Sequence, residues 1–411
     1  MQTPVAVVGL WYGDEGKGRV VDWLAGGGDP ASTVVIRYNG GAQAGHTAVR
    51  GGIRHVFSHF GAGGLVGAAT YLASPFICSP VAFLKEAGEL KGKMPGGRLS
   101  RVIVSPDCRV SIPVDAMLGQ AAETARGSGR HGSCGLGINE TVERSAVLPL
   151  LVRDLLNSRY SIKNYYDRVI QFWLYRRVGT LGLDPKITGD IVSLGYEVFN
   201  SWAESVREFR DMVEVAGEGF LAGSEQLIFE GAQGLRLCET NLADFPYLTR
   251  SRPGLDNVIG ILKTIGVSRL HVVFVSRSYV TRHGPGPLPG ERADLSFLDL
   301  TNIPDQHRGA LRFAEFDATG TLRGRIMREV AKGNRADIKT SWNLAMTCLD
   351  QRSEIDIPEW MPPVLGSYGE TGDMMWAKRD APYGLSSIVY GDGAVTHAEF
   401  RQAMEREWGF C

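Results

Sequence analysis

Apolar residues along this chain cluster in short runs rich in valine and isoleucine, and glycine-rich segments follow several of these runs. Apolar runs of about four to eight residues bounded by turn residues are typical of strands buried in a sheet. The long stretches between the runs leave room for helices, as in folds that place helices against a parallel sheet. The pattern predicts strands at residues 4–9, 33–38, 101–105, 226–229, 269–276 and 343–348.

Between residues 150 and 222 the apolar positions recur at three- and four-residue steps, which is the period of an amphipathic helix. Such a stripe usually faces a protein core. We therefore expect a helical subdomain, spanning about residues 110–222, that packs on the sheet and offers a surface for a dimer interface. The predicted stripe consists of Leu151, Leu155, Ile162, Tyr165, Val169, Phe172, Leu174, Ile191, Leu194, Val198 and Trp202.

The chain reads as one large α/β unit over residues 1–411. Glycine- and proline-rich stretches at 61–68, 94–98 and 284–290 have the length of ordered loops, and the sequence contains no repeat or long linker that would divide the chain. The expected fold is a large, mostly parallel central sheet flanked by helices, with the helical subdomain inserted.

The first predicted strand runs into a glycine-rich turn that contains an acid and a lysine, since residues 13–19 read G-D-E-G-K-G-R. The glycines let the backbone approach a ligand closely, Lys17 adds a positive charge, and a helix begins nearby. The loop is not a Walker A loop, because Gly18 stands where that motif has Ser or Thr and Trp11 stands in place of its first glycine. The pattern indicates a phosphate site, although an ordinary strand-to-helix turn explains it equally well.

A second glycine-rich segment follows the next predicted strand, where residues 39–47 read N-G-G-A-Q-A-G-H-T. A single histidine is more often structural than catalytic. However, the carboxyl ends of neighbouring parallel strands face one crevice, so the two loops are expected to meet there. This makes His46 a candidate catalytic residue.

The two loops resemble the paired signatures of adenylosuccinate synthetases, which read G-D-E-G-K-G and G-G-x-N-A-G-H-T. Further segments resemble that family in chain order, so the likeness extends from about residue 5 to about residue 372. These segments are 230–234 (E-G-A-Q-G), 245–251 (F-P-Y-L-T-R-S), 279–289 (Y-V-T-R-H-G-P-G-P-L-P) and 344–350 (L-A-M-T-C-L-D).

The resemblance implies a GTP-dependent ligase that joins aspartate to C6 of a purine nucleoside monophosphate in two steps. In the first step Asp14 takes the proton from N1, O6 attacks the γ-phosphate of GTP, and His46 stabilises the charge on the phosphoryl oxygens. In the second step the amino group of aspartate displaces the 6-phosphate. The resemblance also implies Mg²⁺ bound by the Asp14 carboxylate and the carbonyl group of Gly45.

The resemblance further assigns residues to three binding sites. GTP is expected to contact Gly13, Glu15, Gly16, Lys17, Gly18, Gly45, Thr47, Asp350, Ser367 and Gly369, with the Asp350 carboxylate on guanine N1–H and the 2-amino group. The purine monophosphate is expected to contact Asp14, Lys17, Gln43, Ala44, Ser133, Cys134, Gln233 and Thr249, and Arg144 is the candidate for the family's arginine that reaches the neighbouring subunit's nucleotide. The amino acid is expected to contact Arg308 and Arg312.

Several positions depart from the family pattern. Gln43 replaces an asparagine, Cys348 replaces a lysine, and the amino-acid loop at 303–312 lacks the family's threonines. The run G-S-C-G-L-G at 132–137 is closer to the phage-type 2-aminoadenylosuccinate synthetases, which use a guanine monophosphate in place of IMP. In many of those enzymes a serine replaces the first-loop acid, whereas Asp14 is kept here.

These departures leave alternatives open beside adenylosuccinate synthesis from IMP. The first is the 2-amino branch with GMP or dGMP. The others are a different amino acid, ATP in place of GTP, and a paralogue that binds purine nucleotides without catalysis. Asp14 and His46 together favour a ligase, because a binding protein needs neither a base nor a group that stabilises the phosphoryl oxygens.

Composition agrees with this hypothesis without deciding it. The chain of 411 residues is 44% hydrophobic with a formal net charge of -1, so it can bury a large core and has no charge bias toward nucleic acid. Its six cysteines show no C-x-x-C spacing, which favours reduced thiols. The sequence has no basic signal-peptide start and no apolar stretch near ~18 residues. We expect a cytoplasmic protein that binds no membrane and, from the resemblance, a homodimer.

Overall fold

The computed structural model describes residues 1–156, 159–299, 301–302, 309–317, 320–352 and 364–369, and beyond them residues 375–379, 388–390, 355, 358, 360, 361, 396, 399 and 402. Strands alternate with helices along most of this length. The strands are β1 (Val5–Gly9), β2 (Thr33–Arg37), β3 (His46–Arg50), β4 (Ile53–Phe57), β5 (Ala69–Leu72), β6 (Ile77–Cys78), β7 (Val102–Val104), β8 (Arg109–Val110), β9 (Glu214–Val215), β10 (Gln226–Gly234), β11 (Arg269–Arg277), β12 (Tyr279–His283), β13 (Leu311–Glu315), β14 (Lys339–Thr347), β15 (Val364–Gly366), β16 (Met375–Arg379) and β17 (Ile388–Tyr390).

The helices begin directly after the first glycine-rich loop. A π-helical turn at Val169–Trp173 joins two of them into one continuous rod. The α-helices are α1 (Lys17–Gly26), α2 (Pro80–Lys93), α3 (Pro113–Arg126), α4 (Ile138–Ser145), α5 (Arg159–Arg168), α6 (Leu174–Leu181), α7 (Lys186–Met212), α8 (Asp256–Thr264) and α9 (Gly320–Arg335). Within the described residues, none of the helices combines the length and the hydrophobicity of a transmembrane span.

A sheet of eleven strands forms the framework of the described chain, in the order β17-β16-β15-β14-β11-β1-β10-β2-β5-β7-β9. Every neighbouring pair from β15 to β9 is parallel, whereas the pairs β15–β16 and β16–β17 at one edge are antiparallel. All six predicted strands lie in this sheet, so the predicted α/β fold with a large, mostly parallel sheet is confirmed. The prediction missed the other five strands of the sheet, which are β5, β9, β15, β16 and β17.

Two apolar layers cover the two faces of the sheet, which explains why its strands are apolar at successive positions. In β1, Val5 and Val7 belong to the layer that includes α1, α2 and α7. Ala6 and Val8 of the same strand belong to the layer that includes α8 and α9. Because successive side chains of a strand point to opposite faces, each layer receives every second residue.

The segment 150–222 is mostly helical, as predicted, and its helices share one apolar core with the sheet. Two predicted core positions are wrong, because Phe172 is 52% exposed and Leu194 is 45% exposed. The π-helical turn inserts an extra residue, which turns Trp173 rather than Phe172 toward the core. Next to Leu194, α7 instead places Gly195 against Tyr166, and the Tyr166 hydroxyl donates to the Gly195 carbonyl at 2.9 Å. The division into a main unit and a helical subdomain stays a prediction.

Candidate active site

A cavity of about 1180 Å³ opens at the carboxyl ends of the central strands. Its walls come from the loops that follow β1, β2, β10 and β11, from the segment after α3 and from the end of β12. Crevices of this kind are where parallel sheets bind ligands. The predicted site residues that line the cavity are Gly13, Asp14, Glu15, Gly16, Lys17, Gly18, Gln43, Ala44, Gly45, His46, Thr47, Ser133, Cys134, Gln233 and Thr249.

The loop after β1 folds back on itself through three left-handed residues. Gly13 has φ 93°, Asp14 has φ 58° and Gly16 has φ 86°. A Cβ atom at Gly16 would lie 2.8 Å from Thr347 Cγ2, so this position needs glycine both for its φ and for space. The Thr347 hydroxyl donates to the Glu15 carbonyl at 2.9 Å and fixes the loop to the end of β14.

The Glu15 side chain stabilises this loop through polar contacts within the protein. Its side chain is buried, one carboxylate oxygen accepts from the Trp11 backbone N–H, and the other lies 3.4 Å from Lys17 Nζ. Burial raises the pKa of Glu15, and the nearby ammonium of Lys17 opposes that rise. Glu15 therefore holds the loop and its lysine in place.

Asp14 presents its side chain to the cavity with 31% of its surface exposed. Its backbone carbonyl accepts from Arg277 Nε, and Arg277 also pairs with Asp299 at 2.7 Å. Asp299 in turn accepts from the backbone N–H groups of Thr301 and Asn302 at 2.9 and 2.8 Å. Sequence reasoning missed Arg277 and Asp299, which connect the Asp14 loop to the segment that enters the predicted amino-acid loop.

His46 is buried at the start of β3, with Nδ1 2.7 Å from Glu230 Oε1. Burial lowers the pKa of His46 to about 4, although the carboxylate of Glu230 acts in the opposite direction. Burial also works against ionisation of Glu230, yet His46 and Arg37 hold the pKa of Glu230 below its ordinary value. The pair is therefore a neutral imidazole whose Nδ1–H donates to a carboxylate, which fixes the ring and its tautomer.

Two polar side chains expected at the nucleotides keep unused hydrogen-bonding capacity. Both amide atoms of Gln43 and the hydroxyl of Thr47 are buried without a hydrogen-bond partner within the described chain. The buried polar atoms of Gln43 and Thr47 are suited to a ligand that pairs with them.

Gln233 adopts φ 64° at the end of β10, so a left-handed residue again turns the chain into the cavity.

The segment expected to bind the monophosphate's phosphate already holds an anion of the protein itself. The Glu123 carboxylate accepts from the backbone N–H groups of Gly132 and Ser133 at 3.1 and 3.2 Å, and it pairs with Arg126. Ser133 itself is exposed. Successive backbone N–H groups around an anion form a nest, so a phosphate that enters here has to displace Glu123.

The residues expected at the guanine base come together outside the cavity, at the ends of β14 and β15. The Gly369 N–H donates to Asp350 Oδ1 at 2.7 Å, and the Leu349 N–H donates to the Ser367 carbonyl at 3.2 Å. Arg19 donates to the Ser367 hydroxyl at 2.6 Å. The Asp350 side chain is exposed, so its carboxylate faces solvent where a base can reach it.

The structure does not bring Arg144 to the cavity. This arginine is fully buried, pairs with Asp115 at 2.7 Å, and donates to the carbonyls of Val110 and Leu148. A guanidinium group used in this way supports the packing of α4 and cannot reach a partner's nucleotide. The arginines that line the cavity are Arg126, Arg177, Arg250, Arg277 and Arg282.

The two arginines expected at the amino acid have different outcomes. Arg312 lies outside the cavity lining, since it pairs with Glu291 at 2.7 Å and donates to the Gly286 carbonyl at 2.6 Å. Arg308 lies outside the described residues. The amino-acid site is therefore the part of the prediction with the least structural support.

Mg²⁺ suits the donor groups at this site. Asp14 offers a carboxylate to the cavity, and the exposed Gly45 offers a carbonyl beside it in the lining. Within the described residues no cluster of three or more His, Cys, Asp or Glu side chains could hold a metal. Mg²⁺ typically takes one or two protein oxygens and completes its octahedron with phosphate oxygens and water, so this sparse oxygen set fits Mg²⁺ better than zinc.

The sequence matches one family and several of its members. Residues 6–356 match the sequence profile of adenylosuccinate synthetase. An adenylosuccinate synthetase of Alkalilimnicola ehrlichii is 31% identical over 391 residues, which cover 92% of this chain and 82% of that protein. One of Neisseria gonorrhoeae is 31% identical over 299 residues, which cover 72% of this chain and 66% of that protein.

Two solved structures share the fold. The fully ligated adenylosuccinate synthetase of Plasmodium falciparum matches with a TM-score of 0.60 at 19% identity, over 87% of this chain and 80% of that one. The succinoaminodeoxyadenylate synthetase PurZ of cyanophage S-2L, bound to dGMP and to dATP as an energy donor, matches with a TM-score of 0.54 at 17% identity, over 85% of this chain and 86% of that one. At these identities the likeness shows the fold alone.

Proposed function

Because the chain belongs to the adenylosuccinate synthetase family, we propose that it is a GTP-dependent ligase that condenses L-aspartate with C6 of a purine nucleoside monophosphate. The leading substrate is IMP, and the product is then adenylosuccinate. The observation that carries this proposal is that the Asp14 carboxylate and the His46 imidazole line the same cavity, each braced by residues distant in sequence.

In the first step the Asp14 carboxylate accepts the proton of purine N1. Arg277 fixes the backbone of Asp14 in its left-handed conformation, so the carboxylate is positioned before the substrate arrives. O6 then attacks the γ-phosphorus, and the bond to the bridging oxygen of GDP breaks. Negative charge on the phosphoryl oxygens is stabilised by Lys17, by the backbone N–H groups of the loop and by the His46 ring.

In the second step the amino nitrogen of aspartate forms a bond to C6. The bond between C6 and the phosphorylated oxygen breaks, and orthophosphate leaves with the electron pair. Arg308 and Arg312 stay the proposed partners of the amino-acid carboxylates. For Arg312 this requires the guanidinium to leave Glu291 and the Gly286 carbonyl, to which it is now bound.

Asp14 and the Gly45 carbonyl would hold Mg²⁺. When bound, the ion neutralises phosphate charge during transfer. Gln43, Ala44, Gln233 and Thr249 are the proposed contacts of the purine monophosphate, together with Ser133 and Cys134 at its phosphate.

A second candidate function is synthesis of 2-aminoadenylosuccinate from GMP or dGMP. It is favoured by Ser133 and Cys134 in the phosphate segment and by the shared fold with PurZ, which was solved with dGMP and dATP. Asp14 favours the first candidate, because many enzymes of the 2-amino branch resemble this chain but have a serine at that position. A non-catalytic binding protein is the third candidate, and the altered 303–312 segment is what favours it.

The test is phosphate release by the purified protein with Mg²⁺, aspartate and either GTP or ATP, offered IMP, GMP or dGMP in parallel. Products are identified by mass. Release with IMP and a succino-adenylate mass supports adenylosuccinate synthesis, and release only with GMP or dGMP supports the 2-amino branch. A panel of other amino acids follows if aspartate gives no product, and failure of all of them favours a binding protein.

The Asp14→Asn variant checks the assigned base. We expect it to abolish turnover and to leave GTP binding, measured without Mg²⁺, within about threefold, because Asp14 acts on N1 rather than on guanine. Asp107→Asn is the matched control, since Asp107 is 53% exposed and pairs with Arg153 away from the cavity. Turnover that survives in the Asp14 variant would show that the base is another group.

Two further properties are proposed on the family likeness. The protein is expected to be a homodimer and to act in the cytoplasm. Light scattering after size exclusion, with and without nucleotides, tests the first of these. A monomer under all conditions would contradict it.

A further inference from the structure

His283 lines the cavity, and the proposed mechanism gives it no function. It is the last residue of β12, and its side chain is only 17% exposed. Both ring nitrogens are buried, and neither has a hydrogen-bond partner within the described residues. An unpaired buried polar group destabilises the protein, so this imidazole is suited to a ligand that supplies the missing hydrogen bond.

The imidazole lies between the proposed base and the hairpin that leads to the amino-acid segment. On one side its Nε2 is 3.5 Å from Asp14 Oδ2, at the outer limit of a hydrogen bond. On the other side His283 pairs in register with Leu311 of β13. Gly309, just before β13, lies next to the turn after His283, since a Cβ built there would be 3.9 Å from the Gly284 Cα.

The neighbouring arginines of this hairpin already use their guanidinium groups inside the protein. Arg282 donates to three backbone carbonyls at 2.8–3.2 Å. Arg312, opposite it in β13, binds Glu291 and a backbone carbonyl. Of the β12 residues that line the cavity, Arg282 and His283, it is His283 that keeps both of its polar atoms available to a ligand.

The chemistry of the second step identifies that ligand. N1 and C6 are bonded neighbours in a purine ring, so a group 3.5 Å from the carboxylate that serves N1 is close to a nucleophile that attacks C6. The nucleophile is the amino group of the amino acid. It can donate a hydrogen bond to a ring nitrogen while its lone pair points at C6.

We propose that His283 is a substrate-orienting residue that accepts a hydrogen bond from the amino group of the incoming amino acid and directs its nitrogen at C6. The inference rests on the proposed ligase function. In the step, the C6–N bond forms, the C6–O bond breaks, and orthophosphate leaves with the bonding pair. The surplus amine proton passes to water, so His283 orients the nucleophile without taking its proton.

The two half-reactions allow a direct test. GTP labelled with ¹⁸O in the β,γ-bridge scrambles its label during reversible phosphoryl transfer to the monophosphate, and this exchange needs no amino acid. The probes are labelled GTP with IMP, GMP or dGMP for the first step, and aspartate-dependent phosphate release for both. Two variants are compared: His283→Leu removes the ring nitrogens, and His283→Gln places an amide near the position of Nε2.

We expect His283→Leu to raise the KM for aspartate about tenfold, which is the loss of one hydrogen bond, and to leave the exchange rate within about twofold. His283→Gln should recover most of the aspartate KM. Thermal unfolding of each variant separates this effect from damage to the fold, because a misfolded protein loses exchange as well.

The inference and the proposed function fail in different ways. If the wild-type protein exchanges label and His283→Leu loses exchange as strongly as aspartate turnover, His283 supports Asp14 rather than the amino acid, and the inference is overturned. An unchanged aspartate KM in that variant overturns it too. If the wild-type protein neither exchanges label nor releases phosphate with any monophosphate, the ligase function itself is wrong and the inference fails with it.

Discussion

Replacing Glu230 with glutamine tests whether the buried carboxylate behind His46 contributes to phosphoryl transfer. The substitution keeps the side chain's shape and removes its charge. Glu230 lies 2.7 Å from His46 Nδ1 and accepts from the Ala62 N–H at 3.1 Å, and all of these atoms are buried. The γ-phosphate brings negative charge, which favours a His46 ring that donates a hydrogen bond to it. The Glu230 carboxylate stabilises the positive charge that this ring then carries.

The size of the effect follows from the contact. A charge-assisted hydrogen bond contributes about 1.5–3 kcal/mol, and each 1.36 kcal/mol in the barrier is tenfold in rate. Glu230→Gln is therefore expected to lower kcat by roughly 10- to 150-fold. Burial already lowers the pKa of His46 to about 4 against the effect of Glu230, so removing the charge lowers that pKa further and makes the ring harder to protonate.

The assay is label exchange in GTP together with phosphate release, with the KM values of GTP and the monophosphate measured in parallel. Glu329→Gln is the matched control, because Glu329 is also a buried glutamate that accepts from a backbone N–H, that of Leu255 at 2.9 Å, but does not line the cavity. Equal kcat losses in the two variants would show a general loss of stability. A kcat within threefold of wild type in Glu230→Gln would refute the reasoning about His46.

Three further predictions concern stability, positioning and base choice. Burial lowers the pKa of His271 to about 4, so between about pH 6.5 and pH 4 the unfolded chain binds a proton that the folded chain does not. The free energy of unfolding therefore falls with falling pH by up to about 1.4 kcal/mol per pH unit. Urea unfolding of His271→Gln should show a shallower fall, and an unchanged slope contradicts this. Asp299→Asn breaks the 2.7 Å pair with Arg277 and should lower kcat about tenfold, whereas an unchanged rate would show that Arg277 holds the Asp14 loop alone. Asp350→Ala should raise the KM for GTP at least about tenfold without raising that for ATP, and an equal rise for both would place the guanine contact elsewhere.

The site residues that the sequence predicted are those that come soon after an apolar strand along the chain. The two glycine-rich loops follow β1 and β2, and each ends a run of apolar residues that any strand rule detects. Asp14 and His46 follow those strand ends, and the carboxyl ends of parallel strands lie at the same edge of a sheet, so the two residues share the cavity even though β10 separates β1 from β2. Asp350 follows β14, which the sequence predicted, whereas Ser367 follows β15, which the sequence did not predict, so only the family resemblance indicated Ser367.

Arg144 shows what a family likeness cannot settle. An arginine in about the right place along the chain serves a nucleotide only if nothing inside the protein uses it first. Here Asp115, on the preceding helix, takes both Nε and one terminal nitrogen of the guanidinium at 2.7–2.8 Å. The sequence contains both residues, but nothing in their spacing shows that α3 and α4 pack so that they meet.

The groups that hold the catalytic residues in place depend on strand order, which the sequence does not reveal. Glu230 is 184 residues from His46 and Arg277 is 263 residues from Asp14. They meet because β10 lies between β1 and β2 while β11 lies on the other side of β1. If β1 paired directly with β2, the end of β10 would lie elsewhere and His46 would have no buried carboxylate behind it. The crossover that inserts β10 is therefore as necessary to the proposed chemistry as the two glycine-rich loops, because it delivers the charge that orients the His46 ring.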